Sequence, residues 1–309
     1  MRTTVHRMAH VAALAGLALA GLAIEAGAQA RTPGAAVADL LASDRAFSAA
    51  SARTSLTTGL TAMMARDVIM PVPGRGFADG IDAVRAELAR DTLNAASTAE
   101  WWPVRGGISA DGTHGFTFGF LTVHRADGTV VPGKYLAYWV KGAEGWRVAG
   151  YKRARRPDGI ADSTLRAPAL PASLVLVLRD ASTIAAQRES LMQAERDFAS
   201  EAQSIGLGPA FAKFGSADAM NLGGGARPDF VYGNDAIAAH VSSGGPAGPS
   251  PVNWGPERAL VASSGDLGVT FGFITPNAPP PDGRATAGFP FFTVWRRAGP
   301  GAPWRYVAE

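Results

Sequence analysis

Two acidic side chains in this 309-residue chain sit where chemistry would be expected of them. Asp44 falls among Val37, Leu40, Leu41 and Phe47. These recur at three- and four-residue spacing, one stripe of a helix predicted from Ala35 to about Ala50. Glu195 falls in the same way among Leu191, Met192 and Phe198, at an offset of 151 residues. A carboxylate inside an apolar stripe leans toward a core or the mouth of a cavity. There it either pairs with a buried cation or, once desolvated so that its pKa nears the working pH, serves as a general base. Arg105 and Arg258 occupy matching positions of predicted strands and would supply the ion pair. Tyr135, Tyr138 and His114 are the polar partners on offer in the first half, and Tyr232 is the nearest in the second. His114 itself, beside a turn, reads as a solvated loop residue.

Other chemistries lack their residues. His114, His124 and His240 are the histidines outside the N-terminal segment, there is no cysteine, and no His-Glu-x-x-His occurs. A zinc site needs three or four converging ligands, so no metal is expected. Gly128–Lys134 has the spacing of a phosphate loop, but Tyr135 follows where Ser or Thr is required. It also joins two predicted strands rather than a strand and a helix. Gly74–Gly80 is one residue out from a dinucleotide fingerprint, and no Gly-x-Ser-x-Gly elbow occurs, so no cofactor is expected.

The elements that must position Asp44 and Glu195 come in two copies. Thr117-Phe118-Gly119-Phe120 returns as Thr270-Phe271-Gly272-Phe273. The shift of 153 holds without a gap from Phe77–Thr122 onto Phe230–Thr275, with 16 identities in 46 positions. A repeat of this length is a duplicated domain. Six of the seven tryptophans pair between copies: Trp101 with Trp254, Trp139 with Trp295, Trp146 with Trp304. In each copy helices come first, predicted at Leu56–Met64 and Ile81–Arg90 in copy one and Asn234–His240 in copy two. A short strand lies at Asp67–Val72 and near Ala219–Leu222. Four aromatic and β-branched strands follow: Thr98–Ile108, Gly115–His124, Lys134–Lys141 and Trp146–Tyr151, with Val252–Ala262, Gly268–Thr275, Phe289–Arg296 and Trp304–Ala308 in copy two. Helices before an antiparallel meander predict an α+β fold, one curved antiparallel sheet packed on helices in each copy. Phe116, Phe118 and Phe120 share one sheet face, as do Val269, Phe271 and Phe273. Alternation leaves open whether that face meets the copy's own helices or its sister.

The boundaries follow. Residues 1–30 carry Arg2 and Arg7, an apolar stretch Val11–Ile24 and Ala28-Gln29-Ala30, the pattern of a secretory signal peptide. Its 14 apolar residues are too few to span a bilayer, and no later stretch is long enough. The chain is therefore expected to be exported, in keeping with a bacterial periplasm. Without residues 1–30, 27 basic residues face 25 acidic ones, a balance that gives no footprint for nucleic acid. The basic run Lys152–Arg156 reads as a solvated terminus. Residues 31–156 form domain 1, 157–181 a linker and 182–309 domain 2. The linker holds Pro157, Pro168, Pro171 and the apolar run Leu174–Leu178, so it is expected to pack on one domain as an added edge strand.

Ser263-Ser264-Gly265-Asp266-Leu267-Gly268-Val269-Thr270-Phe271-Gly272 resembles the strand start of SnoaL-like proteins of the nuclear-transport-factor-2-like superfamily, in a branch without assigned function. Tyr232–Ile237, Glu195–Phe198, Gly145–Val148 and Trp304–Val307 resemble other segments of that branch. Copy one departs from it at Asp111-Gly112-Thr113-His114-Gly115. The resemblance implies two cone-shaped domains, each with an apolar cavity between helices and sheet. Relatives include isomerases, dehydratases and cyclases as well as non-catalytic proteins, so fold does not decide function. Three readings stay open. The first is binding of a small apolar molecule, with Trp101, Arg105, Tyr135, Trp254, Arg258 and Phe271 as candidate ligand contacts. The second is a cofactor-free enzyme with Asp44 or Glu195 as base. The third is a structural role, since sheets of this family often form dimer interfaces; a homodimer or an internal pseudo-dimer would satisfy it.

Overall fold

The computed structural model describes residues 32–177, 181–225, 227–243, 245, 248–278 and 288–309. The N-terminal segment read as a signal peptide lies outside them. Thr32 caps the first helix, α1 (Pro33–Ser51), its hydroxyl accepting from the Ala35 amide at 3.1 Å, and Pro33 opens it without wasting a donor. α2 (Leu56–Ala62), β1 (Met64–Val72), β2 (Gly76–Asp79) and α3 (Ile81–Ala89) follow. β3 (Thr98–Ile108), β4 (His114–His124), β5 (Val130–Gly142) and β6 (Gly145–Arg155) then form a meander. The sheet order is β2-β1-β6-β5-β4-β3. It is antiparallel apart from the β1–β6 pair, which is parallel; α3 then carries the chain from the β1–β2 hairpin to β3 at the opposite edge.

The second half repeats this plan: α4 (Ala181–Ile205), α5 (Leu207–Phe214), β7 (Gly215–Asn221), β8 (Val231–Tyr232), α6 (Asn234–Val241), β9 (Val252–Val261), β10 (Leu267–Pro276), β11 (Phe289–Arg296) and β12 (Arg305–Ala308). Its sheet order is β8-β7-β12-β11-β10-β9. The predicted strand and helix positions hold in both halves, while the sequence reading passed over α5 and the short strands β2 and β8. The stripes also point as expected. Val37, Leu40, Leu41, Asp44 and Ser48 of α1 are buried, as are Leu191, Glu195, Phe198 and Ala202 of α4.

The repeated Thr-Phe-Gly-Phe divides its side chains between the two faces of each sheet. Thr117 and Thr270 turn toward the helices. Phe118 and Phe271 turn to the opposite face, both fully buried. Gly119 and Gly272 sit where the neighbouring strand bulges, between Pro103 and Arg105 in one copy and opposite Pro256 in the other. A Cβ at Gly119 would stand 2.0 Å from the Trp102 carbonyl oxygen, and one at Gly272 1.9 Å from that of Gly255. Only glycine admits so close an approach of two backbones.

The aromatic face left open by alternation belongs to the sister sheet. Phe116, Phe118, Phe120 and Tyr138 form one cluster with Phe230, Val269, Phe271, Phe292 and Val294. Phe118 and Phe120 lie about 5 Å, centroid to centroid, from Phe230, at 5.1 and 5.0 Å. The contacts are reciprocal, as in an isologous dimer. The Ser264 amide donates to Asp111 at 3.0 Å, and the Ala110 amide to Asp266 at 3.0–3.1 Å. Residues 111 and 264 are equivalent in the repeat, so each copy's turn grips the other. The change from Ser-Gly-Asp to Asp-Gly-Thr in copy one keeps a carboxylate in the turn at a shifted position. Lys134 of β5, fully buried, donates to the carbonyls of Leu222, Arg227 and Asp229 in the sister half. Residues 32–309 accordingly form one unit.

The linker adds an edge to the first sheet. Ala169 pairs with Gly107 in parallel, its amide donating to the Gly106 carbonyl and its carbonyl accepting from Ile108. The β-bridge falls upstream of the apolar run expected to make it, but that run does lie on the first domain. Leu174 packs against its core and the Val175 amide donates to the Ala110 carbonyl, while Leu176 is exposed and Leu178 lies outside the described residues. Lys152 also departs from expectation. β6 runs on to Arg155, so strand alternation carries Lys152 inward while Arg155 stays exposed. No helix of the described residues is long and apolar enough to cross a membrane.

Candidate functional site

Each half encloses one buried carboxylate on its first helix, and neither carboxylate meets an arginine. Asp44 accepts from the Trp101 indole N–H at 2.6 Å and the Tyr135 hydroxyl at 2.8 Å. Glu195 accepts from the Trp254 indole at 2.8 Å on Oε1, and from the Thr270 hydroxyl at 2.5 Å and the Trp295 indole at 2.9 Å on Oε2. In copy one the Trp139 indole stops at the Thr117 hydroxyl, 2.8 Å away. Glutamate is one methylene longer and reaches both groups at once. Burial pushes both carboxyl groups above their ordinary range, and the hydroxyl and indole donors pull back against it.

The expected ion pairs are replaced by contacts across the two sheets. Arg105 is 5% exposed and binds Asp218, taking both its carboxylate and its backbone carbonyl. Arg258 binds Asp79. Bulges in β3 and β9 fall beside these arginines, and the guanidinium groups leave the helix side of the sheet.

The two halves differ in what fills the cone. In copy one, Tyr135 and Tyr151 stack at 6.4 Å above Asp44, and both are buried. The strand registers identify their counterparts. Tyr135 faces Gly119 as Phe291 faces Gly272, and Gly150, before Tyr151, pairs with Ile69 as Ala308, before Glu309, pairs with Met220. Phe291 and Glu309 therefore stand where copy one has its two tyrosines. Loss of one hydroxyl and one ring leaves a cavity of about 410 Å3. This lies within the span of small-molecule sites, roughly 300–1,000 Å3.

Glu195 and Trp254 lie on the cavity's inner wall. Phe198, Phe211, Phe291 and Ile274 make most of the surface apolar, and Lys152–Ala154 of the first half complete it. Val241, Val252 and Ile274 are half-exposed and mark the mouth. The polar groups are few: Glu195, Lys152, Glu309 and Asn221, whose amide donates to Glu309. Burial pushes the Glu309 carboxyl up to about 7, with the Lys152 ammonium opposing it. Burial also lowers Lys152 to about 8, with Glu309 opposing. Both groups thus titrate near neutrality.

Of the sequence candidates, the structure brings Glu195 and Trp254 to this cavity, and Asp44, Trp101 and Tyr135 together in the filled core of copy one. It does not bring Arg105, Arg258 or Phe271 to either place; all three serve the contact between sheets. Tyr138 also lies there, its hydroxyl 2.9 Å from His114 Nδ1. His114 is the first residue of β4 rather than a solvated loop residue, and burial lowers its pKa to about 4. Tyr232 lies beneath the Arg166 guanidinium, 3.5 Å from it. Sequence reasoning missed Lys152, Asn221, Phe291 and Glu309. The signal for the last two was the loss of tyrosine between copies, visible only once the final strands are aligned by register. Among the described residues no three His, Asp or Glu side chains converge as a metal-binding set.

The solved structures that this chain resembles include cystatin-like and nuclear-transport-factor-2-like proteins. One is a domain of unknown function with a cystatin-like fold from Nostoc punctiforme, at 15% identity and a TM-score of 0.33 over 39% of this chain and 79% of that one. Another is a nuclear-transport-factor-2-like protein from Novosphingobium aromaticivorans, at 18% identity and a TM-score of 0.29, over 38% and 77% of the two chains. A third is a ketosteroid isomerase-like protein from Erwinia carotovora, at 20% identity and a TM-score of 0.28, over 37% and 98%. No protein-family model and no curated protein sequence matches this chain.

Proposed function

We propose that the second half binds a small, largely apolar molecule and that the first half is its scaffold. One observation carries this reading: the cone that Tyr135 and Tyr151 fill in copy one is opened in copy two by Phe291 and Glu309, leaving about 410 Å3 of mostly apolar space. The pairing of sheets supports the division of roles, because Lys152 and Ala154 of the first half line the second half's cavity. The ligand's polar group would meet Glu309, Lys152 and Asn221. Residues 1–30 further support an exported protein, with the mature chain starting near Arg31.

The test has two parts. Native mass spectrometry of the protein from its own host reads out a co-purifying small molecule. The variant Glu309→Tyr, alone and with Phe291→Tyr, copies the filled cone of the first half, which this fold already accommodates. Loss of the bound mass with an unchanged melting temperature supports the reading; a retained ligand sinks it. A second reading, catalysis with Glu195 as base, draws on its position at the cavity wall. Glu195→Gln separates the two: a binder keeps its ligand with altered stability, and an enzyme loses turnover at unchanged stability.

A further inference from the structure

A second hollow lies on the other side of the second sheet. It is a groove of about 820 Å3 between the linker and the β11–β12 hairpin. Arg296 and Arg305 both line it, and they are register partners on adjacent antiparallel strands. Their neighbours Trp295 and Tyr306 face the helices, so alternation puts both arginines on the opposite face, side by side. Like charges directly opposite destabilise a sheet unless something between them compensates. Among the described residues, neither guanidinium has an ion pair or a side-chain hydrogen bond.

The carboxylates that share the groove, Asp218 and Asp266, attract Arg296 through space but spend their hydrogen bonds elsewhere. Asp218 takes Arg105 and the Ser216 hydroxyl; Asp266 takes the Ala110 amide and the Ser264 hydroxyl. Arg297, also on the wall, donates to the Gly265 carbonyl and stacks on Trp304 at 4.3 Å. Two guanidinium forks thus face the groove with their donors uncommitted, a geometry that suits a bidentate oxyanion. Pro171, Val175, Pro300 and Val307 make the remaining wall apolar.

We propose that this groove is a binding site for a molecule carrying a carboxylate or phosphate on a compact apolar body, its oxyanion held between Arg296 and Arg305. The site is separate from the cavity at Glu195 and does not depend on it.

Calorimetry on the purified chain at low salt, with benzoate, benzyl phosphate and uncharged benzyl alcohol, tests this. The expected result is that at least one anion binds on the order of tenfold more tightly than the alcohol, as hydrogen bonds to a charged group require. That margin should vanish in Arg305→Gln and in Arg296→Gln, and persist in Arg85→Gln on a distant helix. A margin for benzyl phosphate alone makes the group a phosphate; one for benzoate alone makes it a carboxylate. Binding in the other cavity would include the alcohol and ignore Arg305→Gln. Equal affinity for charged and uncharged probes, no binding of any, or a margin that survives both substitutions overturns the proposal. Ligand-free Arg305→Gln should melt no lower than the parent, because a like-charge contact is relieved. A fall of several degrees would assign Arg305 to the fold instead and overturn the proposal as well.

Discussion

Replacing Thr270 by valine removes one oxygen from the buried Glu195 cluster with almost no change of shape. Thr270 is fully buried; its hydroxyl donates to Glu195 at 2.5 Å and accepts from the Trp295 indole at 3.1 Å. The indole keeps Glu195 as a partner at 2.9 Å, so no donor is orphaned, and the near-equal size of valine and threonine leaves no cavity behind. What is lost is a hydrogen bond to a charged group, about 1.5–3 kcal/mol. That cost should depend on pH. Burial already raises the Glu195 carboxyl, and Thr270 is the strongest of the groups that lower it. Removing the donor raises the folded-state pKa further. The native state then holds a proton that the unfolded state has released, so stability is full below the ordinary glutamate value of 4.5 and falls as pH rises through the folded pKa. Thr270→Val should make that fall steeper and extend it upward. Urea unfolding followed by far-UV circular dichroism at pH 4 and pH 8 would measure it, with the larger cost expected at pH 8. A cost below about 0.5 kcal/mol at both pH values, less than one neutral hydrogen bond, would refute the view that Glu195 is held as an anion by these donors.

Three further outcomes are expected. Asp218→Asn should cost more stability than Arg105→Met, by roughly 2 kcal/mol, because the first leaves a buried guanidinium without its counter-ion and the second leaves a half-exposed carboxylate that water can serve; denaturant midpoints of the two variants decide. Gly119→Ala and Gly272→Ala should each cost about 3 kcal/mol or more, since the added methyl meets backbone that cannot move aside; a melting temperature within a degree of the parent for either would contradict the close approach. Stability should fall as pH rises from 4.5 to about 7, as Glu309 loses the proton its folded state favours. It should recover from about pH 8 toward 10.5, where Lys152 is neutral in the fold and still charged in the unfolded chain. In Lys152→Met the upper limb should be absent from the melting profile, and its persistence would point to another group.

Much of this molecule follows from short-range pattern. The duplication, the helical stripes holding Asp44 and Glu195 inward, and the strands of both meanders are written in residue spacing, because spacing by 3.6 or by 2 decides which side chains share a face. Trp101 and Trp254 also stood out, as large rings at equivalent places in the repeat, though not as the partners of those carboxylates, which only the structure shows. Tertiary structure decided the rest. Alternation says that Phe116, Phe118 and Phe120 share a face but not what covers it, and the cover is a sheet more than a hundred residues away in sequence. Arg105 and Arg258 stood at positions suited to the buried carboxylates, yet bulges beside them and Asp218 and Asp79 across the interface drew them away. The cavity arises from two substitutions between copies, Tyr135 against Phe291 and Tyr151 against Glu309, and strand register alone shows them to be equivalent. Spacing determines which residues lie side by side along the chain. Volume left empty, and the partner a charged group finds, are set by distances between segments remote in sequence, and only the folded packing fixes those.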